Sequence, residues 1–539
     1  MASEDSSGTL QEMHDDDAPA ATIPDAGDSG EGGKLKMIVQ LVKKCLGVKD
    51  IASMRLSLPA SLLEPIPNLE FSHFLDRPDY FAAINDSDDP FERMLAVIRF
   101  TFTKDLKYTR GKVCKPYNSV LGEHFRAHWD IPPILNPSDP DSDTPPTAQI
   151  QVTAPTTGLA PPTEYPSDTS SIKSGRSSKS FMSNITPKSA STAATSLEDN
   201  VTARMSQVSL GGDDKLRVVY LTEQISHHPP VSAYYAACPS RSLELLGIDQ
   251  ISAKVAGTSI KVAPGSFNKG MFVKITGGHG EGEQYQVTAP IASVNGILRG
   301  SFYITVTDSI IITCTGGVMD PKSWLGKPHF LLEGVVHTVF DGETQHEEWT
   351  KVKHVPPSRV VAVFDGSWRG HVRWKRVGTG SYPGATSSSA SSPNPSHVTL
   401  PSPSTRSSGV ASKVDLTGLS SDYTTLIDLS TLWVVPKQVR PLEKQLPTES
   451  RKLWDGVTSR LMRKEFSEAT KEKVAIEQKQ RDDAAERKKK GTTFVSQYFD
   501  SDISSGVPTL TEEGQKAIEE ELSEKDNVEN EVEAKTPVP

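Results

Sequence analysis

Cysteine is scarce in this sequence, with four residues among 539. They stand far apart, and no two of them have a Cys-x-x-Cys spacing. This spacing argues against a disulfide framework and against a zinc knuckle, and it favours the reduced thiols of a cytoplasmic protein. The four are Cys45, Cys114, Cys238 and Cys314.

Long apolar runs are missing as well. The longest candidates, such as residues 309–313, are the size of a strand and fall far short of the ~18 residues that cross a bilayer. Residues 1–33 hold nine acidic residues and no Lys or Arg, whereas a secretory signal begins with positive charge. We therefore expect no membrane-spanning segment and no export.

Positive charge does not dominate the chain, since 58 Lys and Arg stand against 68 Asp and Glu. The net charge of −10 argues against a nucleic-acid binder with a uniformly basic surface. The acidic residues are concentrated at the two ends, so residues 34–501 carry about +7. This cationic body is compatible with an anionic ligand or an anionic membrane surface.

Composition divides the chain into one large domain and four segments without predicted structure. The domain covers residues 34–501 and is interrupted by two Ser/Thr/Pro-rich inserts, because apolar and aromatic sequence continues on both sides of each. The unstructured segments are the acidic start at 1–33, the inserts at 136–214 and 378–412, and the acidic tail at 502–539.

Runs of β-branched and aromatic residues predict an antiparallel sheet large enough to close. They lie at 217–221, 271–275, 300–306 and 359–364, and the glycine-rich stretch 277–282 is typical of a hairpin. Helical patterns flank the sheet. They cover 89–98, 450–490 and an amphipathic segment at 35–46, in which Leu35, Ile38, Val42, Cys45 and Leu46 form the apolar stripe.

Three strings carry residues that could bind an anion. His227 and His228 precede two prolines and can meet one ligand only if the chain bends there. Lys115 and Asn118 flank a proline turn and offer a charge and an amide donor. Lys473, Glu477 and Arg481 share one helix face. Taken singly, each string has a simpler interpretation: partly buried imidazoles, a solvated lysine, or exposed ion pairs.

Signatures of catalysis and of metal binding are missing from the sequence. It contains no Gly-x-Ser-x-Gly elbow, no His-Glu-x-x-His zinc helix and no kinase motif set. Adjacent histidines lack the usual ligand spacing, and no third ligand lies nearby. We therefore expect a protein that is not an enzyme and that uses no metal and no cofactor.

Four blocks, taken together and in order, resemble the oxysterol-binding protein family of lipid-exchange proteins. Residues 223–230 read Glu-Gln-Ile-Ser-His-His-Pro-Pro and are similar to the fingerprint of the family. Residues 115–123 resemble its Lys-Pro to Gly-Glu block, with Ser119 where proline is usual. Residues 441–454 resemble its Pro-Leu-Glu to Glu-Ser-Arg-x-x-Trp stretch, and residues 473–481 its Lys-x-x-x-Glu-x-x-x-Arg helix.

The resemblance implies a mainly β fold: a near-complete antiparallel barrel around a lipid tunnel, an N-terminal helical lid and a C-terminal helical subdomain. By motif match, the lipid headgroup would contact Lys115, Asn118, His227, His228, Lys473, Glu477 and Arg481. The lid and tunnel would include Leu35, Ile38, Val42, Leu58, Pro59, Leu62 and Leu63.

The function that the resemblance implies is exchange of lipids between membranes. Phosphatidylinositol 4-phosphate and a second lipid, either a sterol or phosphatidylserine, would compete for one tunnel. The alternative is a lipid sensor or a tether at membrane contacts, without net transport. The protein would be cytoplasmic and peripheral at anionic membranes, with endoplasmic-reticulum contact sites as a candidate location and residues 498–502 as a candidate receptor motif.

Overall fold

The computed structural model describes the chain in eleven ranges, of which residues 20–22, 31–35, 55–57, 110, 327–331 and 338–339 are described by their backbone alone. The ranges are 20–22, 31–110, 115–136, 145–150, 215–297, 303–306, 308–317, 327–331, 335–339, 348–377 and 423–524. The insert at 378–412, Cys114 and residues 300–302 lie outside them.

Helices lie at both ends of the described chain and flank a run of strands. They are α1 (Glu31–Lys44), α2 (Asn68–Phe71), α3 (Pro78–Ala82), α4 (Pro90–Thr103), α5 (Leu106–Arg110), α6 (Ser450–Met462), α7 (Phe466–Lys490) and α8 (Glu512–Ser523). The predicted helical segments are confirmed, and the single segment expected at 450–490 is two helices. No helix that the structure describes is both long and apolar enough to cross a bilayer.

Most of the strands lie between residues 124 and 376. They are β1 (Ala20–Thr22), β2 (Arg55–Ser57), β3 (His124–Ile131), β4 (Leu216–Ser226), β5 (Val231–Cys238), β6 (Leu243–Ala256), β7 (Ser259–Pro264), β8 (Met271–Ile275), β9 (Glu283–Val287), β10 (Ala292–Asn295), β11 (Tyr303–Val306), β12 (Ile311–Gly316), β13 (Lys327–Leu331), β14 (Val335–Val339), β15 (Val360–Gly366), β16 (His371–Arg376) and β17 (Thr424–Asp428). The predicted strand runs at 217–221, 271–275 and 359–364 and the hairpin at 277–282 are confirmed, and the run at 300–306 is confirmed over its described part, residues 303–306.

Strands β3 to β17 form one antiparallel sheet of 15 strands, as expected. The path runs β3-β4-β5-β6-β8-β9-β12-β13-β14-β15-β16-β17, and the second half of β6 also carries a branch, β7-β10-β11. Within the ranges that the structure describes, the strand pairing does not close into a ring. Residues 438–449 run along the free edge of β3, where His128 and Gln438 exchange backbone hydrogen bonds of 2.8 and 3.0 Å.

The inner face of the sheet is packed against helices α3 and α4. Pro90 begins α4, and the Asp89 side chain caps it by accepting from Phe91 N at 2.8 Å. Almost every side chain of α4 is buried, and the helix contacts strands β13 and β17 of the sheet. The main core cluster therefore joins α4 to inner-face residues from β3 through β17.

The outer face of β4 and β5 is covered by the C-terminal segment. Tyr498 and Phe499 are buried there with Ile503, Ala517 and Ile518. Residues 502–524 were expected to be part of an unstructured acidic tail, but α8 packs on β4. Helix α8 packs there because it carries an apolar stripe with a spacing of three and four residues. The many acidic residues obscure this stripe in the sequence.

Two other expected boundaries also differ from the structure. Helix α1 begins at Glu31, within the segment assigned to the acidic start. Residues 145–150 fall in the first expected insert, yet Thr147 exchanges backbone hydrogen bonds with Leu135 at 2.8 and 3.0 Å and Ile150 is buried. The expectation that residues 498–502 form an accessible receptor motif is wrong, because the side chains of Tyr498 and Phe499 are buried.

Candidate functional site

The two adjacent histidines lie in the turn between β4 and β5. Strand β4 ends at Ser226 and β5 begins at Val231, so the chain bends at the prolines as the sequence predicts. The Ser226 hydroxyl donates to Pro229 O at 2.8 Å and holds the turn closed. His228 is 6% exposed and His227 is half-buried, and their ring centroids lie 4.4 Å apart. The bend therefore brings both imidazoles to one place.

A buried carboxylate anchors the end of β4 beside this turn. Glu223 accepts from the backbone N–H groups of Gln497 and Tyr498 at 2.9 and 2.8 Å, and from the Ser496 hydroxyl at 2.7 Å. Burial raises the pKa of the Glu223 carboxyl, and the three donors oppose that rise. Glu223 therefore ties the chain that follows α7 to the strand that carries the histidines.

Lys115 and Asn118 form a small exposed unit. Lys115 Nζ donates to Asn118 Oδ1 at 2.6 Å and to Pro116 O at 2.8 Å. Between them, Tyr117 is fully buried, and its ring lies 5.0 Å from that of Trp454. The backbone of Lys115 accepts from Glu64 N at 3.0 Å. The block is thus fixed by Tyr117 and by Glu64, which follows residues 35–63, the segment predicted to form the lid and called the lid below. Its polar side chains reach solvent.

Glu123 is the buried centre of the motif blocks. Its carboxylate accepts from Ser450 Oγ at 2.6 Å, from Trp454 Nε1 at 3.0 Å and from Val120 N at 3.0 Å. Burial raises the pKa of Glu123 to about 7, against the opposing effect of these donors. Its backbone carbonyl accepts from Gln224 N at 2.8 Å, which joins the second block to the end of β4.

Helix α7 brings the third set of polar residues. Lys473 is 3% exposed and forms an ion pair with Glu477, whereas Arg481 is half-exposed and donates to Gln478 Oε1 at 2.8 Å. The helix lies against the end of the lid, because Ala60 N donates to Thr470 Oγ1 at 3.2 Å. Lys473 is the most deeply buried of the predicted cations.

One apolar cluster explains why these distant blocks meet. Ala60 from the lid, Tyr117 from the second block, Trp454 from α6 and Ala469 from α7 pack together. The histidine turn joins the same region through the Gln224–Glu123 backbone pairing. The structure therefore brings together the elements that carry all seven predicted headgroup residues.

The lid residues fall on both sides of α1. Of the predicted stripe, Cys45 is buried as expected; Met37, which was not predicted, is also buried, and Leu41 packs against both. Ile38 and Val42 are half-buried, and Leu46 is 59% exposed. The Leu35 side chain lies outside the described residues. Leu58 and Pro59 are buried, while Leu62 and Leu63 are half-buried against the lid and α7.

The lid is anchored to the free edge of β6. Ile51 N donates to Ala253 O at 2.6 Å, and Ala253 N donates to Asp50 Oδ1 at 2.8 Å. Val255 packs against Cys45 and Met54 of the lid. Ala253 and Val255 lie on the same face as the core residues Leu243 and Leu245, since alternate residues share a face. The lid therefore lies over the inner face of the sheet.

This inner face is apolar beyond the lid contact. The register of β6, β7, β10 and β11 places ten apolar residues on one face and mostly polar residues on the other. Ile251 is 46% exposed and Val306 is 41% exposed. The ten are Ile251, Ala253, Val255, Ile260, Val262, Pro264, Ala292, Val294, Ile304 and Val306.

Four positioning residues received no role in the sequence analysis: Glu123, Glu223, Ser450 and Trp454. All lie inside the four blocks and are buried, but only a structure shows which donors meet which carboxylates. For Glu123 the signal in the sequence is an acidic residue directly after the apolar run at 120–122. Within the described ranges, no group of three or more His, Cys, Asp or Glu side chains could hold a metal ion.

Comparison with known proteins agrees with the motif blocks. A sequence profile described as Oxysterol-binding protein matches residues 37–155 and 210–525. Oxysterol-binding protein-like protein 1 of Schizosaccharomyces pombe is 37% identical over 536 residues, which cover 92% of each chain. Oxysterol-binding protein-related protein 11 of Homo sapiens is 26% identical over 448 residues, which are 83% of this chain and 45% of the human protein.

Two solved structures are also similar to this chain. The Osh1 ORD domain in complex with cholesterol aligns with a TM-score of 0.49 and 16% identity, covering 93% of this chain and 100% of that one. The Osh3 ORD in complex with PI(4)P from Saccharomyces cerevisiae aligns with a TM-score of 0.44 and 15% identity, covering 96% and 97%. The profile match and the 37% identical relative show that the chain belongs to the oxysterol-binding protein family and carries its lipid-binding domain.

Proposed function

We propose that the protein exchanges lipids between membranes, carrying phosphatidylinositol 4-phosphate in one direction and a sterol or phosphatidylserine in the other. The observation that carries the proposal is the convergence of the cation-bearing blocks. Ala60, Tyr117, Trp454 and Ala469 pack into one cluster, and the histidine turn is hydrogen-bonded to it through Gln224. The three distant segments that carry the predicted cations thus meet beside the lid, which supports one shared headgroup site.

The apolar inner face under the lid supports a hydrocarbon site. A lipid chain that enters water costs about 0.8 kcal/mol per CH₂, so a carrier has to replace the bilayer interior by an apolar enclosure. The half-exposed apolar face of β6, β7, β10 and β11 supplies such a surface. Closure of a barrel around it, with a continuous tunnel, is part of the proposal.

The polar residues beside the lid would select the headgroup. A phosphate monoester carries close to two negative charges and accepts charge-assisted hydrogen bonds that a zwitterionic headgroup cannot match. Lys473 is held in place by Glu477, and Lys115 by Asn118. His227 and His228 would donate ring N–H groups, and Arg481 would complete the set. Glu477 would orient the cations or bind an inositol hydroxyl.

Exchange follows if two lipids compete for the same enclosure. A lipid released at one membrane is then replaced by the other lipid, and no covalent step is needed. The protein would work in the cytoplasm at the surface of anionic membranes. The lid offers a contact surface, because Lys36, Lys43 and Lys44 are exposed beside the exposed Leu46, and Lys488–Lys490 are exposed at the end of α7.

The alternative is a sensor or tether that binds phosphoinositide without moving it. A donor-to-acceptor vesicle assay at a low ratio of protein to lipid separates the two. The exchanger moves phosphatidylinositol 4-phosphate over many turnovers, and it does so faster when the acceptor contains the second lipid. Saturable binding without transfer would favour the sensor. Lipid identified in the purified protein by native mass spectrometry would name the second cargo.

The headgroup residues are tested by His227→Ala combined with His228→Ala. We expect extraction of phosphatidylinositol 4-phosphate from vesicles to be lost, because the pair faces the proposed phosphate. The matched control is Lys471→Ala on α7, which removes an exposed cation that pairs with Glu468 at 2.6 Å. Undiminished extraction by the double variant would refute the role of the histidines.

A further inference from the structure

We propose that the lid carries a docking surface for an acidic segment of its own chain, residues 1–19, which covers exposed lysines of the lid and competes there with anionic lipid. Residues 1–19 are called the acidic arm. The docking surface, called the lysine face, is made of four exposed lysines of the lid. They are Lys36, Lys43, Lys44 and Lys49. The effect on membrane binding rests on the proposed function, whereas the docking itself does not.

Strand pairing joins the acidic arm to the lid. Strand β1 (Ala20–Thr22), which directly follows the arm, pairs in parallel with β2 (Arg55–Ser57) of the lid. The register aligns Ala20 with Arg55 and Thr22 with Ser57. This two-stranded ladder is separate from the 15-stranded sheet. The arm is therefore attached to the lid at the point where the arm meets β1.

The direction of the pairing leads the arm toward the lysine face. Because β1 and β2 are parallel, the chain before Ala20 leaves the ladder at the Arg55 end. The lid reaches Arg55 from the same side, through a compact turn that is closed by a hydrogen bond of 3.1 Å from Met54 N to Ile51 O. Lys49 lies just before this turn. The arm and the lysine face therefore approach the ladder from the same end.

The arm is long enough to reach these lysines. A chain spans at most about 3.6 Å per residue, so the aspartates at 15–17 lie within about 18 Å of Ala20. Lys49 stands six residues before Arg55, the partner of Ala20, and thus lies within about 22 Å of Arg55. A tether of this length holds the two charged groups at an effective concentration of about millimolar order. A contact that is weak between separate molecules is therefore favoured here.

The charges of the two segments are opposite. The arm contains six Asp and Glu and no Lys or Arg, a net charge of −6. Residues 34–57 contain six Lys and Arg and one Asp, a net charge of +5. This short segment thus holds most of the excess of about +7 that residues 34–501 carry. The arm is therefore complementary in charge to the lid segment to which it is attached.

The single acidic residue of residues 34–57 is engaged by the turn. Asp50 Oδ1 accepts from Ala52 N at 3.0 Å and from Ala253 N at 2.8 Å. Asp50 Oδ2 accepts from Ser53 Oγ at 2.9 Å. The carboxylate therefore fixes the turn and the edge of β6, and the lysine face keeps a surplus of positive charge. An acidic partner from outside residues 34–57 fits this surplus.

Docking of the arm has a consequence for membrane binding. The lysine face, with the exposed Leu46 beside it, is the surface that the lid offers to an anionic bilayer. Carboxylates of the arm and phosphates of the membrane need the same ammonium groups, so the two compete. A membrane with few anionic lipids leaves the arm in place, and a strongly anionic membrane displaces it. The arm thus sets a threshold of surface charge for contact with the lid.

The contact is tested by carbodiimide cross-linking of the full-length protein, because this reagent joins a carboxylate to an amine only where the two touch. Mass spectrometry of the digested protein locates the links. We expect links from the acidic residues at 4–17 to Lys43, Lys44 or Lys49. High salt should abolish them, and so should phosphatidylcholine vesicles that contain phosphatidylserine.

Four outcomes of the cross-linking would overturn the proposal. They are no link from the arm, links mainly to lysines elsewhere such as Lys115 and Lys479, links between two molecules, and links that persist when anionic vesicles are added. The measurement without vesicles contains no lipid. Its result therefore does not depend on lipid exchange, and links to the lysine face in a protein that moves no lipid would support the docking and refute the proposed function.

The competition is tested with an arm variant in which all six acidic residues are neutral. It should bind vesicles of low phosphatidylserine content about tenfold more tightly than wild type in a cosedimentation assay. A matched variant gains the same charge after residue 511 and should bind as wild type does. The arm variant carries Glu4→Gln, Asp5→Asn, Glu12→Gln, Asp15→Asn, Asp16→Asn and Asp17→Asn. The matched variant carries Glu512→Gln, Glu519→Gln, Asp526→Asn, Glu529→Gln, Glu531→Gln and Glu533→Gln.

The comparison of the two variants separates docking from net charge. Tighter binding by the arm variant alone supports the proposal. Equal gains by both variants would assign the effect to net charge and overturn it, and so would wild-type binding by the arm variant. Circular dichroism of both variants checks that they are folded.

Discussion

The carboxylates and the cations of the motif blocks differ in what surrounds them. Glu123 and Glu223 are buried and accept three hydrogen bonds each from the protein itself. The side chains of Lys115 and Arg481 reach solvent and donate to near neighbours in sequence. The same motifs therefore contain two kinds of residue: acids that hold the scaffold and cations that the scaffold presents.

The comparison predicts that loss of a scaffold residue affects stability most. Trp454→Ala should lower the free energy of unfolding by about 3–5 kcal/mol, because it removes a fully buried ring and the donor to Glu123. Urea unfolding followed by circular dichroism measures the change. The exposed neighbour Lys452 provides the control, and Lys452→Ala should stay within about 0.5 kcal/mol of wild type. If Trp454→Ala and Lys452→Ala lowered the free energy of unfolding equally, the division into buried scaffold residues and exposed cations would be contradicted.

The next effect is a pH dependence that belongs to Glu123. Burial raises its folded pKa to about 7, above the ordinary 4.5, so ionisation disfavours the folded state. Stability should therefore fall as pH rises from about 4.5 to 7 and then level off, by up to about 3 kcal/mol. Glu123→Gln is nearly isosteric and should remove this decline. The free energy of unfolding of both proteins, measured at pH 5 and at pH 8, tests this prediction. An equal change in stability between the two pH values for both proteins would contradict it.

Loss of a predicted headgroup cation should instead reduce lipid extraction. Lys473→Ala should reduce extraction of phosphatidylinositol 4-phosphate about tenfold or more, since a charge-assisted hydrogen bond contributes about 1.5–3 kcal/mol. The exposed lysine one half-turn away, Lys471, supplies the comparison, and Lys471→Ala should leave extraction unchanged. If the two variants extract lipid equally well, Lys473 does not contact the headgroup.

The smallest effect concerns an ion pair between a buried acid, Glu70, and an exposed cation, Arg451. Arg451 donates to both oxygens of Glu70 at 3.0 and 2.7 Å. Burial raises the pKa of the Glu70 carboxyl, but Lys437 and Arg451 outweigh burial and hold it below its usual value. Arg451→Lys keeps the charge and loses the paired geometry, so it should cost about 0.5–1.5 kcal/mol. A thermal unfolding scan detects this, and no shift would show that the second hydrogen bond is unimportant.

Much of the fold follows from the sequence, because it depends on local patterns. The β-branched runs at 217–221 and 271–275 predict strands, and Asp89 followed by Pro90 predicts the start of α4. Helix α8 was missed, since the charges of its acidic residues obscure an apolar stripe that includes Ala517 and Ile518. Burial depends on what packs against a segment, and composition does not report that.

The sequence offers candidate site residues but not their arrangement. Motif matching predicts Lys473 and the histidine pair as headgroup residues, which stays a prediction. The contacts of Glu123 and Glu223 depend on donors more than 200 residues away in sequence. The lid shows the same limit. Its helix and the burial of Cys45 were predicted, but the burial of Met37 depends on packing against Leu58, which the helical pattern does not report.

The most direct test of the account is headgroup selectivity. Extraction of phosphatidylinositol 4-phosphate and of unphosphorylated phosphatidylinositol is measured from otherwise identical vesicles, for wild type and for His227→Ala with His228→Ala. Wild type should extract phosphatidylinositol 4-phosphate in strong preference to phosphatidylinositol. The variant should extract both lipids poorly and without this preference. A variant that keeps the wild-type preference would contradict the claim that these cations select the phosphate.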